Sequence, residues 1–308
     1  MSESAVPEPV PVPEPVPAPD PAPPDRRRPA LSPSRAADFK QCPLLYRFRA
    51  IDRLPERPSR AQVRGTLVHA VLERLFDLPA GDRDAQAARA MVGPLWSELC
   101  GRTPGLAADL FDGGAEDPEV PGWLESAEAL LETYFRLEDP RRLEPAAREL
   151  LVETELGSGL LLRGYLDRLD VAPDGRTRVV DYKTGAAPRQ VAEARALFQM
   201  KFYALALLQL HDVVPTELRL IYLSDGETLR YQPDEHELRR FERTLDAIWL
   251  AVLAAGATGD FRPNRGRMCD WCSHRSICPA WGGTPPPYPG WPRDPEASAE
   301  ESVLDRAG

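Results

Sequence analysis

Two aspartates and one lysine have the residue types and the spacing that metal or phosphate chemistry requires: Asp167, Asp181 and Lys183, in the segment GYLDRLDVAPDGRTRVVDYKTG. Residues 173–175 read Pro-Asp-Gly, which predicts a tight turn between two apolar strands. With those three residues as the loop, Ala172 lies opposite Arg176. The same register then places Asp167 opposite Asp181.

Alternation along the strands predicts which side chains meet. Asp181 and Lys183 share one face of the second strand, and Tyr182 points to the other. The face of Asp167 also carries apolar residues and should be partly buried: Leu161, Leu169 and Val171. Two carboxylates and an ammonium on such a face are costly unless they pair or hold a metal. The sequence therefore predicts either a cross-strand salt bridge or a functional site.

Residue usage favours the site. The chain has only three lysines, Lys40, Lys183 and Lys201, against 35 arginines, so a generic salt bridge would be expected to use arginine. A compact ammonium can approach a phosphoryl oxygen or a polarised water more closely than a planar guanidinium can.

The order of motifs resembles a known family. Gly164-x-x-Asp167, followed after 13 residues by Asp-Tyr-Lys, resembles the nuclease core of the RecB-like, iron–sulfur-containing branch of the PD-(D/E)XK superfamily. SPSRAADFKQCPLLYRFR, GTLVHAVLE with His69, Gln199-x-x-x-Tyr203 and Cys269-x2-Cys272-x5-Cys278 stand in the order of that branch. The resemblance covers residues 31–281.

Phosphodiester hydrolysis in such a family implies Mg²⁺ or Mn²⁺, for which Asp167 and Asp181 are suitable oxygen ligands. The resemblance adds His69 and the Tyr182 carbonyl as ligands. Lys183 would orient the attacking water, lower its pKa or stabilise transition-state charge, and the sequence does not choose among these roles.

Three further residues are candidates near this site. Gln199 and Tyr203 lie one helical turn apart and share a face, and the resemblance implies that they support the site and the scissile strand. Ordinary helix surface is the alternative. Glu153 or Glu155 on the preceding strand could add another carboxylate.

Four cysteines predict a second site. Cys269, Cys272 and Cys278 are clustered, and a thiol cluster without a disulfide framework is typical of metal binding. Spacing does not separate zinc from iron–sulfur, and His274 could complete a Cys₃His zinc site. The resemblance implies a 4Fe–4S cluster with Cys42, 227 positions before Cys269, as the fourth ligand. Cys100 fits neither pattern.

Charge is unevenly distributed. The net charge is −10, yet residues 35–64 contain eight basic and three acidic side chains. Such a local patch predicts nucleic-acid contact or an arginine-rich solvated face. The candidate contacts are Arg35, Tyr46, Arg47 and Arg49.

The pattern along the chain predicts an α/β domain with a mixed sheet flanked by helices. Its parts are a Pro-rich disordered tail (1–30), a nuclease domain (31–283) with a helical insertion (80–148) and a cysteine loop (260–281), and a disordered tail (284–308). We expect helices at Arg60–Phe76, Trp123–Leu137, Glu193–Leu210 and Glu235–Ala255, and strands at Leu150–Leu156, Leu160–Val171, Thr177–Lys183, Leu218–Leu223 and Thr228–Tyr231.

Absent patterns narrow the function. No apolar run is long enough for a membrane span and no secretory segment is evident, so a cytoplasmic protein is expected. No P-loop motif occurs, which predicts ATP-independent action and leaves unwinding to a separate helicase. We expect a metal-dependent DNA exonuclease acting on single-stranded ends in repair or recombination. The alternatives are an inactive nuclease fold that binds DNA or a helicase, and a zinc-ribbon binding protein.

Overall fold

The fold places a five-stranded mixed sheet between two groups of helices. The computed structural model describes residues 29–187 and 193–292, so residues 1–28 and 293–308 of the two predicted tails lie outside the description. The strands are β1 (Ala147–Glu155), β2 (Leu161–Val171), β3 (Thr177–Lys183), β4 (Glu217–Tyr222) and β5 (Glu227–Tyr231). The helices are α1 (Pro33–Gln41), α2 (Pro43–Tyr46), α3 (Arg60–Leu75), α4 (Ala85–Arg102), α5 (Leu106–Leu110), α6 (Val120–Leu137), α7 (Glu193–His211) and α8 (Glu235–Thr258).

The sheet has the order β1-β2-β3-β4-β5. Only β3 and β4 pair in parallel, and α7 forms the crossover between them. The other neighbouring strands are antiparallel. The predicted α/β class with a mixed sheet is therefore confirmed, and the predicted helices and strands agree with the observed bounds within three residues.

Each face of the sheet contributes to its own hydrophobic core. Val179 and Leu220 pack in a cluster with α1, α7 and α8, whereas their neighbours Val180 and Ile221 pack in a second cluster with α3, α4 and α6. Strands β3 and β4 are apolar on both faces because both faces are covered. The helices α4 to α6, within the predicted insertion, complete the second core.

Local sequence signals explain the ends of several elements. Ser32 caps α1 by accepting a hydrogen bond from the Arg35 N–H at 3.2 Å, and Pro33 occupies the first helical turn. Ser59 and Gln62 form a capping box at α3. Gly175 has a φ of 82° in the β2–β3 turn, a conformation that glycine adopts without strain.

The C-terminal segment packs against the domain beyond residue 284, where the sequence predicted a disordered tail to begin. Tyr288 donates a hydrogen bond from its hydroxyl to the Gly256 carbonyl at 2.8 Å, and Trp291 packs on Trp249 with ring centroids 6.0 Å apart. A disordered tail beginning at residue 284 is therefore wrong for residues 284–292.

None of the helices in the described part of the chain combines the length and apolar character that a membrane span requires.

Candidate active site

The β2–β3 hairpin brings the two predicted aspartates to one place. The strands pair from Val171 with Thr177 to Arg168 with Val180, which is the predicted register. The backbone ladder ends there, and Asp167 Oδ2 accepts a hydrogen bond from the Tyr182 N–H at 2.7 Å. At the point where the two strands separate, the Asp167 carboxylate thus accepts the kind of hydrogen bond that a backbone carbonyl accepts elsewhere in the ladder.

The alternation of side chains along strand β2 is interrupted at Asp167. Its neighbours Leu166 and Arg168 belong to opposite sides of the sheet: Leu166 packs in the core with α7, and Arg168 donates a hydrogen bond to the Tyr182 hydroxyl at 2.5 Å. Regular alternation would place both on one side. On β1, Glu149 has a positive φ of 44°, which is uncommon for a residue with a side chain. This irregularity sets Glu149 beside Asp167.

His69 of α3 lies beside Glu149 and Asp167, and the three side chains are of types that commonly bind metals. Its Nδ1 lies 3.4 Å from Asp167 Oδ2 and 3.8 Å from Glu149 Oε1, and its Nε2 lies 3.0 Å from the Tyr182 carbonyl oxygen. One ligand atom from each of His69, Glu149 and Asp167 lies within 4.8 Å of the others. One imidazole and two carboxylates suit Mn²⁺ or Mg²⁺, so the residues present fit the divalent cation that the family implies.

The Tyr182 carbonyl and Asp181 have other partners in this arrangement. The carbonyl faces the His69 imidazole, and the Asp181 carboxylate lies 2.5 Å from the Lys183 ammonium. Both are predicted metal ligands; Asp181 lies outside the group of His69, Glu149 and Asp167, and the Tyr182 carbonyl borders it through His69. Their metal role stays a prediction.

Helix α7 places Gln199 between the charged residues. Its Nε2 donates to Asp181 Oδ1 at 2.8 Å, and its Oε1 accepts a hydrogen bond from Lys183 Nζ at 2.9 Å. Tyr203, one turn later, has its hydroxyl 3.4 Å from the same Nε2. The amide therefore bridges the buried carboxylate and the ammonium, and Gln199 and Tyr203 lie on one helix face as their spacing predicted.

Gly164 explains the first letter of the G-x-x-D motif. A Cβ at this position would lie 3.0 Å from Cε1 of the Tyr203 ring. Absence of a side chain therefore lets the ring of α7 pack directly on strand β2, three residues before Asp167. The glycine serves the approach of helix and strand rather than a turn.

Burial and neighbouring charges shift two pKa values. Burial raises the pKa of Asp167 to about 7, and the Asp181 carboxylate acts in the same direction. For His69, burial alone lowers the pKa, but the Glu149 carboxylate and the charges of Asp167 and Asp181 outweigh it and raise the pKa to about 9. The three carboxylates therefore create a strong preference for a bound positive charge.

A buried ionic network anchors strand β3 beneath the site. Arg168, 1 % exposed, pairs with Glu138 at 2.7 Å and with Asp170 at 3.0 Å. Through its bond to the Tyr182 hydroxyl, this guanidinium holds the residue whose backbone contacts both Asp167 and His69. The network positions the site without facing it.

The four predicted cysteine ligands line one groove: Cys42, Cys269, Cys272 and Cys278. Burial raises the pKa of the Cys272 thiol, and the other three thiols act in the same direction. Among the described residues no three of these sulfurs converge within 4.8 Å. His274 bonds through Nε2 to Glu56 Oε1 at 2.7 Å, so this nitrogen already has a carboxylate partner.

The predicted nucleic-acid contacts need correction. Tyr46 is 3 % exposed and packs on Phe39 and Phe261, so it belongs to the core and offers no stacking surface. Arg47 is 6 % exposed and pairs with Asp52 at 3.0 Å. The sequence could not distinguish these two from surface residues, because helix α2 and the helical turn Arg47–Ile51 that follows it turn them inward.

The other two predicted contacts remain accessible. Arg49 pairs with Asp38 and Glu56, both at 2.7 Å. Arg35 is exposed and donates to the Ala30 carbonyl at 2.9 Å. Both line the groove that contains the cysteines.

Sequence reasoning missed Glu149 and named Glu153 or Glu155 instead. Both alternatives are exposed, and Glu153 forms an ion pair with Arg163. The predicted strand began at Leu150, which left Glu149 outside it. The only available signal was a third acidic residue near the start of the strand that precedes the hairpin.

The fold and the site define a nuclease, with a group of carboxylate and imidazole side chains that suit a divalent cation at the end of a mixed sheet. The chain belongs to the PD-(D/E)XK nuclease superfamily, whose sequence profile matches residues 30–279. It is similar to the Gene 69 protein of Mycobacterium phage L5, with 26% identity over 295 residues that cover 82% of this chain and 97% of that protein.

The chain is similar to two further proteins. The Gene 69 protein of Mycobacterium phage D29 is 30% identical over 203 residues, which cover 60% of this chain and 71% of that protein. Among solved structures, a "Putative exonuclease" from Eubacterium rectale superposes with a TM-score of 0.52 and 13% identity, over 80% of this chain and 87% of that one. At this identity the likeness concerns the fold alone.

Proposed function

We propose that this protein is a metal-dependent, ATP-independent deoxyribonuclease of the RecB-like branch. It hydrolyses phosphodiester bonds as an exonuclease on single-stranded ends, in DNA repair or recombination. The observation that carries the proposal is the convergence of His69, Glu149 and Asp167 next to the Asp181–Lys183 pair. Superfamily membership supports the reaction class.

A bound Mg²⁺ or Mn²⁺ would be held by His69, Glu149 and Asp167, with Asp181 adjacent, and would neutralise charge on the scissile phosphate and on the leaving oxygen. The chain's own residues position the remaining groups. Lys183 places an ammonium beside the buried Asp181, where it can approach a phosphoryl oxygen or a water. Gln199 restrains both side chains, so little reorganisation is needed when substrate binds.

Two observations support the preference for ends and for single strands. The Eubacterium rectale protein carries the name "Putative exonuclease", and this chain shares its fold. No nucleotide-binding P-loop occurs in the sequence, so separation of a duplex would fall to another protein, such as a helicase.

The cysteine-lined end of the groove is proposed to hold a 4Fe–4S cluster through Cys42, Cys269, Cys272 and Cys278. The four thiols line one groove, and the other three lie close enough to Cys272 to raise the pKa of its thiol, so all four can serve one metal group. The Glu56 contact of His274 uses only Nε2, so a Cys₃His zinc site with Nδ1 as ligand is the alternative.

An inactive nuclease fold that only binds DNA is the second candidate, and one experiment separates the two. Single strands labelled at either end, and the matching duplex, are incubated with Mn²⁺, with Mg²⁺ or with EDTA, always without ATP. The proposal expects cation-dependent shortening of the single strand from one labelled end. Binding without cleavage under every cation condition would establish the inactive alternative, and cleavage that persists in EDTA would refute the metal dependence.

A further inference from the structure

A large groove beside the candidate active site has a composition unlike the rest of the protein. Its volume is about 1170 Å³, and it extends from Gln199 and Tyr203 to the four cysteines. Seven arginine and lysine side chains line it against one acidic side chain, Asp38. In a chain whose net charge is −10, this concentration of positive charge requires an explanation.

Four of these basic side chains form no ion pair with a carboxylate in the ranges 29–187 and 193–292: Arg35, Lys40, Arg265 and Arg267. The other three have acidic partners, for example Asp270 for Arg275 at 3.2 Å. Positive charge that no carboxylate of the described residues neutralises is available to an anionic ligand. A series of such groups along a groove fits a polyanion with regularly spaced phosphates.

Aromatic side chains supply a second kind of contact. Trp271 is 76 % exposed, and no ring or cation contact of its indole occurs within the described part of the chain. By contrast, the ring of Trp281 has the guanidinium carbons of Arg275 and Arg265 at 3.9 Å and 4.6 Å from its centroid, so its faces are occupied. A large exposed indole lacking partners is costly in water and suits a stacking platform.

The position of Trp271 is fixed by the cysteine-containing turn. It ends the short helical turn Arg267–Trp271, between Cys269 and Cys272. The Cys272 N–H donates to the Cys269 carbonyl at 3.4 Å, and Cys269 Sγ accepts from the Gly266 N–H at 3.4 Å. The indole is therefore presented by a turn with its own hydrogen bonds rather than by a free loop end.

Tyr165 connects the groove to the cation site. It is 55 % exposed on β2, two residues before Asp167, and it lines both the groove and a second cavity of about 810 Å³ that contains His69 and Glu149. A strand that follows the groove past Tyr165 would reach the cation ligands directly.

We propose that this groove is the binding track for a single strand of DNA, with Trp271 as a base-stacking platform, Arg267 as a phosphate contact and Tyr165 at the entry to the cation site. Exposed aromatic faces require unstacked bases, which a single strand offers and a duplex does not. The inference rests on the proposed nuclease function and names the residues that select its substrate.

Fluorescence anisotropy of the full-length protein in EDTA tests the track without cleavage. The probe is a fluorescein-labelled oligothymidylate of roughly 20 nucleotides, which exceeds the usual site sizes of single-strand grooves. Trp271→Ala should weaken binding about tenfold with an unchanged salt dependence, and Trp271→Phe should restore most of it. Arg267→Ala should reduce the slope of log affinity against log salt by about 0.7.

Matched controls exclude general surface effects. Leu250→Ala removes another exposed apolar side chain, 67 % exposed on α8, and Arg142→Ala removes an exposed arginine outside the groove. Both should bind the strand as the unaltered protein does. A duplex of the same length should bind more weakly and should not respond to Trp271→Ala.

The outcomes separate this inference from the proposed function. Unchanged affinity in Trp271→Ala, or no binding of the strand by the unaltered protein, would overturn the track even if cleavage is observed. Loss of binding in Trp271→Ala together with no cleavage under any cation condition would keep the track and reject the nuclease.

Discussion

At the scale of single residues, Asp167 combines a structural and a chemical role. Its carboxylate accepts the Tyr182 N–H at 2.7 Å and faces His69 Nδ1 at 3.4 Å. Burying a carboxylate is costly, and the backbone hydrogen bond and the charge of the nearby imidazole offset part of that cost. What remains is a negative site that a divalent cation would stabilise.

Lys183→Ala should reduce cleavage at least 100-fold, because the ammonium beside Asp181 is the only cation in the hydrogen-bonded group with Gln199 among the described residues. Lys183→Arg should also be poor, since a planar guanidinium is larger than the space an ammonium occupies. Gel analysis of labelled strands measures the rate. Lys201→Ala, which removes a lysine paired with Glu237 at 2.7 Å, is the control and should retain full activity. Comparable rates for Lys183→Ala and Lys201→Ala would exclude Lys183 from the chemistry.

The raised pKa values predict how stability changes with pH. The folded protein keeps a proton on Asp167 up to a pKa of about 7 and on His69 up to about 9, whereas the unfolded chain releases these protons near 3.8 and 6.5. Because the folded state binds more protons in both windows, the free energy of unfolding falls as pH rises through them. Melting temperatures in EDTA should therefore decrease from pH 5 to pH 9.

Asp167→Asn should flatten the dependence of the melting temperature on pH in its lower part. Comparing this variant with the unaltered protein separates the effect of the site from the effect of general surface charge. A cation that displaces these protons binds more tightly at higher pH, by up to about tenfold per unit for each proton displaced. The stabilisation by Mn²⁺ should accordingly grow between pH 7 and pH 9. An Mn²⁺ effect independent of pH, or identical in Asp167→Asn, would contradict this cation site.

At the scale of secondary-structure elements, the site depends on how α3, α7 and the hairpin approach one another. His69 comes from α3 on one side of the sheet, and Gln199 comes from α7 on the other. The irregularity at Glu149 and Asp167 lets residues from both sides meet at one end of the strands.

Gly164→Ala should disturb the site through packing. The added Cβ would lie 3.0 Å from the Tyr203 ring, so the ring and the Gln199 amide above it must move. We expect a lower kcat, roughly tenfold or more, with a folded protein by circular dichroism. Gly157→Ala is the matched control, since a Cβ added at that position would have no neighbour within 4 Å. Equal kcat in the two variants would show that the close approach of β2 and α7 does not matter for activity.

At the scale of the whole molecule, the cysteine groove joins the beginning and the end of the domain. Asn264 donates from its side chain to the Gln41 carbonyl at 2.9 Å and from its backbone to Cys42 Sγ at 3.4 Å. The two ends are thus adjacent through ordinary hydrogen bonds, and a bound cluster would fasten them covalently.

Cys42→Ala should remove the brown colour that the proposed cluster would give and lower the melting temperature, even though Cys42 is 227 positions from Cys269 in sequence. A metal link across so long a loop constrains the unfolded chain strongly. Visible absorbance near ~400 nm and thermal unfolding of anaerobically purified protein measure both effects. Cys100→Ala, in α4 away from the groove, should change neither. Colourless unaltered protein with one equivalent of zinc would replace the proposed cluster with a zinc site.

The sequence by itself determined the features that depend on short-range geometry. The Pro-Asp-Gly turn set the β2–β3 register, because a tight loop leaves no freedom in the pairing, and helical spacing put Gln199 and Tyr203 on one face. Tertiary structure alone decided which distant side chains join them. The backbone irregularity that recruits Glu149, the inward rotation of Tyr46 and Arg47, and the packing of Trp291 all arise from contacts between elements far apart in the chain. The local sequence pattern does not predict such contacts, because the free energy that stabilises these contacts is gained only when the elements pack together.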